Sequence, residues 1–212
     1  MRIVLLGLPG SGKGTQARLL SSALKVPFLG AGDLLRLEVK EQTPLGKLLK
    51  PILDAGDFPD EKLVVDICLK HILAMDGFVL EGFPRTKTQY LLFEEALKKV
   101  NKKMDAFFYL DLPEEEAVRR LAGRVTCLSC GATYGAKDID KKTCDFCGKD
   151  TMGVRADDKD DVVRKRLRLQ KERNDILLSC MQSSGVVYTI DATQTPDQVT
   201  QSVLDVLAKP SP

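Results

Sequence analysis

The stretch Gly7-Leu8-Pro9-Gly10-Ser11-Gly12-Lys13-Gly14-Thr15 decides how the rest of this 212-residue chain is read. Before it stands Arg2-Ile3-Val4-Leu5-Leu6, an apolar run of strand length; after it, Gln16-Ala17-Arg18-Leu19-Leu20 begins a helical pattern. A strand, a glycine-rich turn and a helix together make a phosphate cradle. Glycines let backbone N–H groups point inward with no side chain in the way, and the helix N-terminus adds roughly half a positive charge. Lys13 then offers the β- and γ-phosphates a mobile point charge. The spacing G-x-x-x-x-G-K is met in full, but Gly14 stands where Ser or Thr commonly follows the lysine, and Thr15 comes one position later.

Outward from the cradle, apolar runs at 26–29, 78–81, 106–111 and 186–191 read as further strands. Helical patterns fall between them, over 14–24, 34–39, 44–55, 60–75, 88–100, 113–122, 160–181 and from 196 onward. Asp33, Thr86 or Thr88, and Thr195 are read as helix N-caps. Strands that are nearly all apolar and alternate with helices predict an α/β fold, a parallel five-stranded sheet covered on both faces. Ligands in such sheets bind beyond the carboxyl ends of the strands. The loops at Gly7, Gly30, Gly82 and Asp111 are therefore expected to share one cleft. Residues 123–160 break the pattern with turn formers and cysteines, and are read as a small inserted domain.

A hydrophobic content of 43% suffices for a sizeable core, and a net charge of +2 is too small to imply nucleic acid or membrane as the main partner. The N-terminus leads straight into a strand, so no signal peptide is expected, and no apolar run approaches the ~20 residues of a membrane span. The expected setting is cytoplasmic. Four of the six cysteines form two Cys-x-x-Cys pairs, Cys127 with Cys130 and Cys144 with Cys147. Each pair is followed by a glycine, Gly131 or Gly148, which allows a tight knuckle whose N–H groups bond the thiolates. Four sulfurs suit tetrahedral zinc in a closed structural site. Two disulfides or a redox pair are the rival readings, and a cytoplasmic setting disfavours stable disulfides. Cys68 and Cys180 read as buried small hydrophobes. His71, the only histidine, has no second ligand near it in sequence.

Arg36, Arg85, Arg124, Arg155 and Arg166 recur in loops or at helix starts around the cradle. Phosphoryl transfer asks for positioning and cations around charged oxygens rather than for covalent chemistry. Arginine suits that task because its planar fork grips phosphate bidentately.

These residues together resemble the adenylate kinase family of P-loop proteins over essentially the whole chain. Residues 7–15 resemble its G-x-P-G-x-G-K-G-T, which accounts for Gly14. Gly32-Asp33-Leu34-Leu35-Arg36 is similar to T-G-D-x-x-R, and Gly82-Phe83-Pro84-Arg85-Thr86 to G-F-P-R-T. Gly123-Arg124 and Arg155-Ala156-Asp157-Asp158 bracket what resembles the family's long, metal-binding lid. The resemblance implies a P-loop fold with a zinc-ribbon-like lid, and a division into a core (1–29, 60–122 and 161–212), a monophosphate segment (30–59) and a lid (123–160). It implies that Mg-ATP and AMP give two ADP, on a monomer that takes only small nucleotides. Gly10, Ser11, Gly12, Lys13, Gly14 and Thr15 would hold ATP, with Arg120, Arg124, Thr133, Tyr134 and Gln194 as further contacts. Ala31, Arg36, Asp57, Phe58, Pro59, Gly82, Phe83, Pro84, Arg85, Gln89, Arg155 and Arg166 would meet AMP. Lys13, Arg85, Arg124, Arg155 and Arg166 would surround the transferring phosphoryl group. The two mobile segments would close to exclude water.

Two positions depart from the family pattern. Ala31 replaces a threonine, which is similar to the UMP/CMP kinases, and Glu81 replaces an aspartate that would hold magnesium through its water shell. The long cysteine lid, Thr86 and Gln89 favour AMP. A P-loop protein with a nucleic-acid-binding ribbon is the alternative from another class. Against it, Lys137, Lys141, Lys142 and Lys149 are balanced by Asp138, Asp140, Asp145 and Asp150, which leaves no cationic face.

Overall fold

The computed structural model describes residues 1–54, 57, 59–154, 160–182 and 186–209, without the side chains at 54, 137, 160–162, 165 and 166. Strands β1 (Arg2–Gly7), β2 (Phe28–Gly30), β3 (Phe78–Glu81) and β4 (Ala106–Asp111) alternate with helices α1 (Lys13–Leu24), α2 (Ala31–Lys40), α3 (Pro44–Asp54), α4 (Glu61–Ile72) and α5 (Lys87–Lys99). Helix α6 (Glu114–Ala122) leads into three short strands, β5 (Val125–Cys127), β6 (Thr133–Tyr134) and β7 (Met152–Gly153). The long α7 (Asp160–Met181), β8 (Val187–Asp191) and α8 (Pro196–Leu207) complete the chain.

The main sheet is parallel throughout, in the order β2-β3-β1-β4-β8. Its two faces are read off the alternation of its strands. Val4, Leu6, Phe78, Leu80 and Phe107 enter one core, with α4, α5 and the second half of α7 over them. Ile3, Leu5, Val79, Phe108 and Leu110 enter the other, against α1, α6, α8 and the start of α7. Both faces of β1, β3 and β4 are thus buried, which is why these strands are unbroken apolar runs. Gln16 ties α1 to α8: its Nε2 donates to the Pro196 carbonyl (2.7 Å) and its Oε1 accepts from the Thr200 hydroxyl (2.7 Å).

Thr86 and Thr195 cap as the sequence suggests, and Asp60 caps α4 besides; each accepts a backbone N–H three residues on, and Thr195 and Gln198 form a reciprocal capping box. Asp33 does not cap. Helix α2 begins two residues before it, after an extended Gly30, and the Asp33 carboxylate in the first turn turns to Arg36 instead. The second strand starts at Phe28 rather than at 26, beyond Pro27. Residue 55, where the helical pattern over 44–55 ends, lies outside the described residues. Cys68 is fully buried as expected. Cys180 is only half-buried, because Leu177 and Met181 occupy the core face of that turn of α7.

Residues 125–153 carry a sheet of their own, antiparallel in the order β6-β5-β7. Strands of two and three residues are too short to show an alternation in sequence. No helix among the described residues is long and apolar enough to cross a membrane.

Candidate functional site

One cleft of about 1990 Å³ opens at the carboxyl ends of the main strands, and the inserted ribbon forms its far wall. A pocket for a single small ligand measures roughly 300–1,000 Å³, so this cleft has room for two. Gly10 to Thr15 line it. Gly12, the residue before α1, has φ +87, and a Cβ built there would meet nothing within 4 Å. Only the backbone conformation demands glycine, and the space in front of it is open to a ligand. Ser11 is buried with its hydroxyl unpartnered, an orphaned donor at the mouth of an anion site. Lys13 reaches across the cradle and its Nζ donates to the Leu8 carbonyl (2.7 Å).

A second group comes from β3 and α5. Arg85 Nε donates to the Gly82 carbonyl (2.7 Å), which fixes the plane of the guanidinium. Gln89 Oε1 accepts the Arg85 N–H (2.7 Å). That carbonyl keeps a second lone pair, so a base edge can still be paired bidentately. Ala31, Arg36, Asp57, Pro59, Gly82 and Pro84 line the same part of the cleft. Phe83 does not join them. Its side chain is fully buried, edge-to-face with Phe93 at 5.3 Å, and anchors the loop from below. Phe58 and Arg155 lie outside the described residues, as does the side chain of Arg166.

From the other side come Arg120, Arg124, Thr133, Tyr134 and Gln194, all lining the cleft. Glu116 receives Arg119 and Arg120 (2.7 Å each), and these hydrogen bonds bring its carboxyl down to about 2, so it stays charged and holds Arg120 in place. The Tyr134 hydroxyl is committed to the ribbon, where it accepts the Asp145 N–H (2.9 Å) and touches Cys144 Sγ (3.2 Å). Only its ring is left for the cleft.

The four cysteine sulfurs lie within 4.8 Å of one another, the one such group among the described residues. Cys127–Cys147 and Cys130–Cys144 are each 3.6 Å apart. A tetrahedral zinc–thiolate centre with bonds of ~2.3 Å has edges of ~3.8 Å, whereas a disulfide requires ~2.05 Å. The cluster therefore fits a metal, and in this arrangement the paired sulfurs stand beyond disulfide bonding distance. Gly131 and Gly148 follow the pairs with φ +73 and +68, as knuckles need. Burial opposes a charge on Cys127, but the Thr151 hydroxyl and the N–H groups of Cys130 and Ser129 outweigh it and bring the thiol to about 6. Cys144 is lowered in the same way, against burial, by Tyr134 and the N–H groups of Cys147 and Phe146. His71 is far from this chemistry, half-buried in the last turn of α4.

Sequence reasoning overlooked Gln170, Arg173 and Asn174, which also line the cleft. A signal was there. Val163, Leu167, Gln170, Asn174, Leu177 and Met181 make one buried stripe of α7, apolar except at its middle. Gln170 Nε2 donates to Asn174 Oδ1 (2.9 Å). A polar pair inside an apolar stripe marks the place where a core helix passes under a site.

A family model described as adenylate kinase matches residues 5–186. Curated relatives named adenylate kinase span the chain almost end to end. That of Agathobacter rectalis is 38% identical, over 99% of this chain and all of its own. That of Archaeoglobus fulgidus is 37% identical, over 99% of each. That of Petrotoga mobilis is 33% identical, over 98% of this chain and 97% of its own.

Proposed function

Because the chain belongs to the adenylate kinase family, we propose that the residues gathered in the cleft divide one reaction among them. That reaction is the reversible transfer of the ATP γ-phosphoryl group to AMP, giving two ADP. The observation that carries the assignment of roles is the placement of Lys13, Arg85 and Arg124 around a single cleft sized for two ligands.

In this reading Gly10 to Thr15 cradle the ATP phosphates, and Lys13 swings from the Leu8 carbonyl to the β- and γ-oxygens. Arg36, Arg85 and Gln89 receive AMP, with Ala31, Asp57, Phe58, Pro59, Gly82 and Pro84 around its base and Arg155 and Arg166 on its phosphate side. A phosphate oxygen of AMP is the nucleophile, so no side chain forms a covalent intermediate. The cations instead spread the charge of the three equatorial oxygens in flight. Arg85 is ready for this because its fork is already held by Gly82. Magnesium accompanies ATP in this family, and it would neutralise charge between the β- and γ-phosphates. Glu81, at the cleft end of β3, would hold it through water.

The same reading divides the chain into three parts. Residues 1–29, 60–122 and 161–212 form the core, 30–59 the monophosphate segment and 123–160 the lid. Arg124, Thr133 and the Tyr134 ring come with the lid, and Arg120 and Gln194 approach the ATP base from the core. The cysteines hold structural zinc. In this reading the chain acts as a monomer, on small nucleotides, in the cytoplasm.

Base selection tests the AMP half of this reading. Ala31 is buried, 3.8 Å from where a Cβ on Gly82 would stand, and offers a base no hydroxyl. The loss is about one hydrogen bond, ~0.5–1.5 kcal/mol, or roughly two- to tenfold in relative rate. Gln89 remains, and the part of its amide not bonded to the Arg85 N–H goes unpaired when a pyrimidine enters, a larger penalty. Coupled assays of ADP formation should show AMP preferred over CMP, UMP and GMP. Ala31→Thr should sharpen the AMP/CMP ratio of kcat/KM, and Gln89→Ala should collapse it. Equal rates with AMP and CMP would assign the site to pyrimidine monophosphates instead.

A further inference from the structure

The geometry points to Arg18 as a positioning residue of the reaction: it latches the metal ribbon to the helix that cradles ATP. Arg18 lies on α1 one turn beyond Gly14 and Thr15. Its guanidinium donates to the carbonyl of Cys130, in the first knuckle, at 2.5 Å. The same group stands 5.0 Å from the ring centroid of Phe28, at the start of β2, and 5.2 Å from that of Phe146, in the second knuckle. One planar cation therefore touches both knuckles and the core together. Phe146 is 51% exposed and has no core of its own to enter. The guanidinium supplies a partner for its face.

The contact is placed to govern the cleft. Beside it, Thr133 Oγ1 lies 3.9 Å from where a Cβ on Gly14 would stand, so β6 hangs directly over the phosphate cradle. Gly131 sits against α2, 2.9 Å separating a Cβ built there from Asp33 Oδ1. With the ribbon in this position the lid residues Arg124, Thr133 and Tyr134 all face the cleft. A ribbon that lifts to admit or release nucleotide must part this latch. Its chemistry suits repeated breaking. A guanidinium on a carbonyl and two rings keeps its charge and regains water without penalty when released. An apolar or ion-paired clasp would part more slowly.

This inference rests on the reading that the ribbon closes over ATP, and the test separates the two. In zinc-loaded protein without nucleotide, Arg18→Ala should speed hydrogen exchange at ribbon amides such as Leu128 and Cys127. Exchange in β1 and β4 should not change. Steady-state kinetics should show KM for ATP raised roughly three- to thirtyfold, the range expected for one cation–π contact and one charge-assisted hydrogen bond. kcat should hold within about twofold or rise, because an easier opening speeds product release. Arg18→Lys, which keeps the charge but not the planar face, should recover part of the loss. Phe146→Leu should shift KM in the same direction and add little to Arg18→Ala.

An unchanged KM for ATP in Arg18→Ala would overturn the assignment, as would a fall in kcat that tracks lost thermal stability. Arg124→Ala is measured beside it. If that variant also leaves KM for ATP unmoved, the closing of the ribbon over ATP is what fails, and the role of Arg18 with it. If only Arg18 is silent, the latch alone is wrong.

Discussion

Lys13→Met is expected to lower turnover at least a hundredfold while the protein stays folded. Lys13 is the only lysine of the cradle, and its ammonium already lies over the loop, on the Leu8 carbonyl at 2.7 Å. Moving it to the β- and γ-oxygens is a rotation of a flexible stem, not a rearrangement of backbone. Its charge counts most when negative charge builds on the bridging and departing oxygens, so its loss should fall on kcat more than on KM for ATP. Losing one preorganised donor at such a centre typically costs about 3 kcal/mol, or 10²–10³ in rate. Methionine has nearly the same length and no charge, and the two buried cores contain no part of Lys13. The melting temperature should therefore move by only a few degrees. Initial rates of ADP formation and a thermal melt by circular dichroism check both halves. A variant retaining more than about a tenth of wild-type turnover would mean that the lysine does not touch the reacting phosphates.

The cradle and the main sheet could be read before any coordinates because local and global signals agree there. Strands buried on both faces must be apolar throughout, and a glycine-rich turn with a lysine has few other uses. The misreadings have a common cause. Asp33 looked like a cap because the residue type fits one, but the extended Gly30 and a nearby Arg36 decide where α2 starts. Phe83 looked like part of the site because it lies between Gly82 and Arg85. The loop instead turns its ring into the core, against Phe93, and uses that anchor to aim its neighbours. Gln170 and Asn174 went unread because a helix pattern is judged by where apolar residues recur, not by which place in the stripe is polar. Arg18 carries no local signal. Its partners, Phe28, Cys130 and Phe146, are distant in sequence, and only folding brings them together.

Removing the metal should unfold the ribbon and leave the rest of the chain standing. The apolar cluster of the ribbon is Cys127, Ala132 and Cys144, with Cys130, Tyr134, Cys147 and Met152 around it. Four of those seven residues are the proposed ligands, so no separate core remains when they are released. Its strands are two and three residues long and pair only with one another, too little to stand alone. Structural zinc contributes on the order of 10 kcal/mol to modules of this kind at neutral pH, more than any other contact the ribbon makes. The main sheet has its own two cores and does not share these residues. Chelation, or Cys127→Ala with Cys130→Ala, should therefore abolish hydrogen-exchange protection in residues 125–153 while protection in β1, β3 and β4 persists. Turnover should fall with it, because Arg124, Thr133 and Tyr134 lose their places at the cleft. Acid should mimic chelation, since protons compete for the thiolates and the metal is released as pH falls. Elemental analysis of the untreated protein should find one zinc per chain. No metal, together with four thiols that react only after reduction, would establish disulfides in place of the metal centre.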